Sequence, residues 1–118
     1  MTKTNQDIPD RRTDEFVAGD TLVIDTPVEY NGGAYDLTGA SITFVIAEDR
    51  GETPLVTRSV GNGITITNAV GGEFRVVVDP ADTVNLCGNY HIETEVVASD
   101  GRVSTVSTGQ LHVKEDTA

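Results

Sequence analysis

The chain is short of cations, cysteine and aromatic residues, and each shortage removes a class of function. Its 118 residues include 8 Lys or Arg against 19 Asp or Glu, for a formal net charge of −11. Free nucleic acid is not an expected partner, because phosphate binding needs cationic side chains to displace counterions. Cys87 is the one cysteine. That excludes an internal disulfide, and an isolated Cys fits a small buried hydrophobe better than a nucleophile. No apolar run approaches the roughly 20 residues of a spanning helix. The opening Met1-Thr2-Lys3-Thr4-Asn5-Gln6 has none of the regions of a signal peptide. The expectation is a soluble protein made without a secretion leader and with no membrane partner. The length suits one domain of the common size of about 100–150 residues, which excludes a multi-domain enzyme.

The charge that is present has an uneven make-up. Six of the eight cations are Arg (11, 12, 50, 58, 75 and 102) and two are lysines, Lys3 and Lys114. A lysine-poor, acidic surface suits a salt-rich medium, where screening over about 3 Å at molar ionic strength removes the self-repulsion that opposes compaction. A halophilic source is therefore one expectation, beside that of an ordinary acidic protein.

Residues 1–15, ending in Asp10-Arg11-Arg12-Thr13-Asp14-Glu15, are polar and follow neither a helical nor a strand period. They read as an extended N-terminal arm, with the folded domain spanning 16–118. From Phe16 onward, apolar residues alternate with period 2 and turn chemistry interrupts them every 8–12 residues, the pattern of an all-β sandwich or barrel. Leu22, Ile24, Val28 and Tyr30 share one parity, and Pro27 marks that strand as an edge or a bulge because it cannot donate to a ladder. Further strands follow around Ile42, Phe44 and Ile46, at 55–60, at 64–67, and at 73–78 with Phe74, Val76 and Val78 on one side. Asp79-Pro80-Ala81-Asp82-Thr83 predicts a short helical turn capped by an aspartate. Tyr90, Ile92, Thr94 and Val96 define the clearest strand, and Ser99-Asp100-Gly101 turns the chain into the last one, with a bulge expected near 107–109. About seven strands in this length predict an immunoglobulin-like antiparallel sandwich of two sheets. Gly88-Asn89-Tyr90 fits a tyrosine corner, and Tyr90 equally fits a plain core aromatic.

No constellation of catalytic residues emerges. His91 and His112 are lone histidines on outward parity, without the Cys or acidic partners of a zinc site. No Gly-x-Ser-x-Gly elbow supports a hydrolytic triad, and the twelve glycines lie in turns rather than in a phosphate-binding loop. Asp79 with Asp82, and Asp49 with Glu52, offer oxygens to a hard cation but lack the spacing of a calcium loop. The expectation is a non-enzymatic protein with no metal and no cofactor. Val45, Val77 and Val97 sit opposite the core parity of their strands. With Phe16 at the domain entrance they are candidate partner contacts, forming a patch if their strands are neighbours.

Several motifs recur together: Gly19-Asp20, then Asp36-Leu37-Thr38-Gly39-Ala40 before a strand, then Leu86 with Gly88 and Tyr90, then Asp100-Gly101, and Gly109-Gln110-Leu111-His112-Val113 at the end. On these residues the chain resembles the immunoglobulin-like β-sandwich domain of tailed-virus structural proteins, including the N-terminal part of baseplate upper proteins. The resemblance covers roughly residues 16–114. Leu37, Gly39, Gly88, Tyr90, Asp100, Gly101 and Gly109 are its hallmarks, all of them turn or packing residues. It implies a virion protein assembled in repeated, symmetric copies with other virion structural proteins, with no catalytic residue to carry over. A baseplate upper protein continues into a stalk with receptor-binding parts whereas the sequence here ends at Ala118, so tail, baseplate, neck and capsid decoration all stay open. A second expectation, from another class, is a module that binds a surface polysaccharide or mediates adhesion, with Tyr30 and Tyr35 beside Asn31-Gly32-Gly33 as its aromatic platform.

Overall fold

The alternating residues fold as strands in a computed structural model that describes residues 10–30 and 32–115. Residues 1–9 of the expected arm, Asn31 and the last three residues lie outside the described ones. In chain order the strands are β1 (Asp10–Val17), β2 (Leu22–Pro27), β3 (Glu29–Tyr30), β4 (Gly33–Ala34), β5 (Ser41–Ala47), β6 (Val56–Val60), β7 (Gly63–Asn68) and β8 (Glu73–Val78). The short helix α1 (Pro80–Thr83) follows, then β9 (Gly88–Val97) and β10 (Val103–Lys114).

Hydrogen bonding links eight strands in the order β1-β10-β9-β5-β6-β7-β8-β2, and β3 pairs with β4 as a separate ribbon. The sheet bends over at its thinnest join, where β6 and β7 share two residue pairs, Ser59 with Gly63 and Val60 with Ile64. This brings β7, β8 and β2 against the layer of β10, β9 and β5. Each layer turns one parity inward. Leu22, Ile24, Phe74, Val76 and Val78 from one layer meet Ile42, Phe44, Ile46, Ile92, Val96, Leu111 and Val113 from the other in a single buried core. The protein is an all-β sandwich. Burying an aliphatic or Phe side chain of this kind contributes about 1.5–3 kcal/mol.

Three expectations about individual elements meet specific structure. Pro27 ends β2, an edge strand, where its missing N–H faces no ladder. The register of β10 against β9 shifts between Thr105 and Ser107, so the bulge falls at Val106, just ahead of the expected place. Helix α1 follows Asp79 with Pro80 in its first turn, but the Asp79 side chain makes no capping bond. Its anchor is Thr83 instead, whose hydroxyl donates to Asp20 O at 2.8 Å and accepts from Gly19 N–H at 3.1 Å.

Other features depart from a seven-strand antiparallel scheme. Strand β1 begins at Asp10, inside the stretch read as an arm, and runs parallel to β10 from Asp10 opposite Ser107 to Val17 opposite Lys114. The β6–β7 join is also parallel. Both cases involve backbone pairing between strands that cannot form a simple hairpin, which the alternation of side chains does not report.

Between the layers, Arg58 acts as a tie. Its side chain is 12% exposed and hydrogen-bonds Asp82. It also donates from Nε to Val77 O at 3.2 Å and from Nη1 to Thr57 O at 3.0 Å, which joins β6 to β8 and to the end of α1. Gly63 makes room for it: a Cβ there would lie 2.2 Å from Arg58 Cδ.

Candidate functional site

One end of the sandwich gathers three connections: residues 28–40 between β2 and β5, residues 69–72 between β7 and β8, and the hairpin 98–102 between β9 and β10. Backbone bonds lock the first two together, from Val28 N to Gly72 O at 2.7 Å and from Leu37 N to Ala69 O at 2.8 Å. Tyr35 N also donates to Val28 O at 3.0 Å, which closes the loop that carries the β3–β4 ribbon. Gly72 sits in the left-handed region at φ 74, and a Cβ there would meet Val28 O at 2.5 Å and Tyr35 O at 2.6 Å. Only glycine fits so close to two backbone carbonyls. Buried Leu37 plugs this end of the core.

The same loops hold their polar groups locally. Asp36 Oδ1 accepts from the Thr38 hydroxyl at 2.6 Å and from Thr38 N–H at 2.9 Å, and these bonds hold the Asp36 carboxyl below the usual carboxylate range. In the hairpin, Asp100 Oδ1 accepts from Arg102 N–H at 3.0 Å, while Ala98 N donates to Arg102 O at 2.8 Å. The Arg102 side chain then reaches across to the first loop. Its guanidinium carbon lies 5.7 Å from the ring centroids of both Tyr30 and Tyr35, whose own centroids are 6.4 Å apart with the rings tilted by 51°. Tyr30 is 52% exposed, and Val70 and Val103 in the neighbouring loop and strand are 72% and 57% exposed. Tyr35 is half-buried against the core. Tyrosine and arginine are among the residue types enriched at binding hot spots.

A shallow depression of about 470 Å³ adjoins this end, lined by Asp25, Thr26, Pro27, Thr67, Glu73, Phe74 and Arg75. Across it Arg75 Nε donates to Asp25 Oδ1 at 2.7 Å and Nη2 to Asp25 Oδ2 at 3.3 Å, which holds the Asp25 carboxyl below its ordinary range.

The expected contact residues are dispersed. Val45 and Val97 share the outer face of β5 and β9, with Val45 opposite Glu93 and Val97 opposite Ser41 and Val103. Val77 lies on the other layer, paired with the half-exposed Val23. Phe16 packs against the core. The structure thus puts Val45 and Val97 on one face but four residues apart along it, with the Thr43–Glu95 pair between them, and leaves Val77 on the far side, because parity along a strand does not say which layer the strand joins.

The fold hallmarks are placed as turn and packing groups. Tyr90 combines both of its readings: its ring packs on the core while its hydroxyl accepts from Cys87 N–H at 2.8 Å and donates to Cys87 O at 3.1 Å. Gly39, Gly88 and Gly101 adopt positive φ, and Gly109 lies in β10 opposite Ile92. Cys87 itself is exposed, which corrects its reading as a buried hydrophobe; its backbone, rather than its thiol, is used by the Tyr90 corner.

Among the described residues no group of three or more His, Cys, Asp or Glu could hold a metal ion. Asp82 is engaged by Arg58, and Asp49 Oδ1 accepts from Arg50 N–H at 2.8 Å. His91 Nε2 lies 3.0 Å from Glu93 Oε1, and His112 Nδ1 lies 2.8 Å from Asn89 Oδ1. No helix among the described residues is long and apolar enough to cross a membrane.

Among solved structures, the N-terminal domain of phage TP901-1 ORF48 aligns with 92% of this chain and 92% of its own, with a TM-score of 0.62 and 14% identity. The chain folds like a domain of a phage protein. CopC from Methylosinus trichosporium OB3b aligns with 90% of this chain and 87% of its own, at a TM-score of 0.52 and 17% identity. At such identities the likeness shows the fold alone. No protein-family profile matches the chain, and no curated protein matches it.

Proposed function

We propose that the chain is a non-enzymatic structural component of a tailed virus particle, present in repeated copies and joined to other virion proteins. The observation that carries this reading is the end-to-end match with the phage domain, 92% of each chain, so that the likeness is one of a whole domain rather than a shared motif. The motif series Asp36–Ala40, Leu86-x-Gly88-x-Tyr90, Asp100-Gly101 and Gly109–Val113 supports the same reading from the sequence side. In this role the sandwich is a rigid spacer or clamp. Val45 and Val97 on one outer face, and the loop end around Tyr30, are the surfaces we assign to neighbouring subunits. Gold-labelled antibody against the chain, applied to purified particles, tests the proposal: labelling at one fixed place on tail, baseplate, neck or head supports it, and unlabelled particles overturn it.

A second reading is favoured by one specific observation. The Tyr30–Arg102–Tyr35 cluster is an exposed aromatic and cationic platform of the kind that an adhesion or polysaccharide-binding module uses. The two readings are compatible in one particle protein.

A further inference from the structure

Arg102 is held differently from the other arginines that bridge strands. Arg58 and Arg75 each engage an aspartate, Asp82 and Asp25. In a chain with 19 acids, Arg102 makes no ion pair among the described residues and instead lies over two tyrosine rings. The acid next to it in the hairpin, Asp100, uses Oδ1 on the Arg102 backbone. A guanidinium carries its N–H donors in its own plane, where their spacing matches the two oxygens of a carboxylate. Tyr30 is half-exposed beside it, and the buried Tyr35 hydroxyl makes no well-formed hydrogen bond and has the Arg102 guanidinium as its polar neighbour. A stacking surface and a cation with directional donors thus converge where three loops meet.

We propose that Tyr30, Tyr35 and Arg102 form a binding site for an acidic saccharide, with a uronic-acid ring on the face of Tyr30 and its carboxylate on Arg102. The stacking ring supplies apolar contact with the C–H side of the sugar, and the arginine supplies orientation. The net charge of −11 opposes a polyanion at long range, but a screening length of about 8 Å at physiological salt confines that opposition to nearby groups. One such subsite binds weakly, with a Kd on the order of 1 mM, and repeated copies on a surface raise the avidity. This site goes beyond the assembly role. It is tested on the isolated chain, so its failure leaves the particle reading standing and the reverse also holds.

The test is a titration of the full 118-residue chain, followed by amide chemical shifts, with tetragalacturonate, its carboxyl-reduced neutral counterpart, and a tetraglutamate peptide. The expected result is saturable binding of the uronate with shifts confined to residues 28–40, 69–72 and 98–103. Arg102→Met and Tyr30→Ala should each weaken it by about tenfold or more, which corresponds to about 1.4 kcal/mol. Arg102→Lys, which keeps the charge and loses the planar fork, should weaken it by a smaller factor. Both side chains are exposed, and unchanged shifts in β8 and β9 confirm that the variants fold. Absence of uronate binding at about 10 mM, well above the Kd expected here, overturns the proposal. So does equal binding of the neutral sugar, which removes Arg102's part. Equal binding of the glutamate peptide reduces the site to bare charge, and affinity unmoved by both substitutions moves it elsewhere; either result overturns the proposal.

Discussion

Two tyrosine hydroxyls in this molecule have opposite circumstances, and removing each should have opposite effects. The Tyr90 hydroxyl exchanges two hydrogen bonds with the Cys87 backbone, so Tyr90→Phe should destabilise the fold by about 1–2 kcal/mol. The Tyr35 hydroxyl is buried without a well-formed hydrogen bond and has only the Arg102 guanidinium as a polar neighbour among the described residues, so Tyr35→Phe should leave stability unchanged or raise it by less than about 1 kcal/mol. Urea unfolding midpoints at constant m-value measure both. Two carboxylates should set part of the acid sensitivity. The Arg75 guanidinium holds Asp25 below the ordinary range, and Thr38 does the same for Asp36. A carboxyl whose folded pKa is depressed stabilises the native state fully above its unfolded value near 4 and loses that contribution as pH falls through the folded value. The contribution of these two groups should therefore be constant from neutral pH down to about 4 and be lost below it, so the fall in stability there should be less steep in an Asp25→Asn, Asp36→Asn double variant. Equilibrium unfolding across that range checks the slope.

At the scale of elements, the Arg58 tie fastens β6 to β8 and to α1 at the place where the sheet bends over. Arg58→Ala removes the bonds to Asp82, Val77 O and Thr57 O together with a largely buried aliphatic stem, and should cost about 2–3 kcal/mol. Arg75→Ala, across an exposed strand pair, should cost much less. Comparing the two thermal midpoints is the check. Elements also show where the amino-acid pattern is informative. Alternation places β2, β5, β8, β9 and β10 because each buries one parity, as with Ile42, Phe44 and Ile46. Strand β1 escapes that test, since Asp10–Glu15 is polar throughout and is a strand by virtue of backbone bonds to β10. The β3–β4 ribbon has two residues per strand, too few to show a period. Of the candidate site, Tyr30 and Tyr35 are legible as aromatics beside a glycine-rich turn. Arg102 and Val70 are not, because only the closure of the sandwich brings the last hairpin and the β7–β8 loop to that turn.

For the whole molecule, the charge becomes a property of the surface. From Asp20 to Glu115, every acid is exposed except Glu29 and Glu93, which are half-buried. With 19 acids against 8 bases, repulsion acts across the entire shell of a small β core. Raising the salt from about 0.05 M to about 1 M shortens the screening length several-fold, so the thermal midpoint should rise, and by more than in a variant with six surface acids changed to Gln or Asn. An unchanged midpoint would remove the halophilic expectation. The charged coat also bears on assembly, because like-charged copies come together only where a surface such as the loop end or the Val45 and Val97 face outweighs their repulsion. The central claim is that the chain is part of a virus particle. Quantitative mass spectrometry of particles purified through two density gradients tests it most directly. The account predicts the chain at a constant ratio to the major shell protein through both gradients; a ratio that falls toward zero with purification would contradict it.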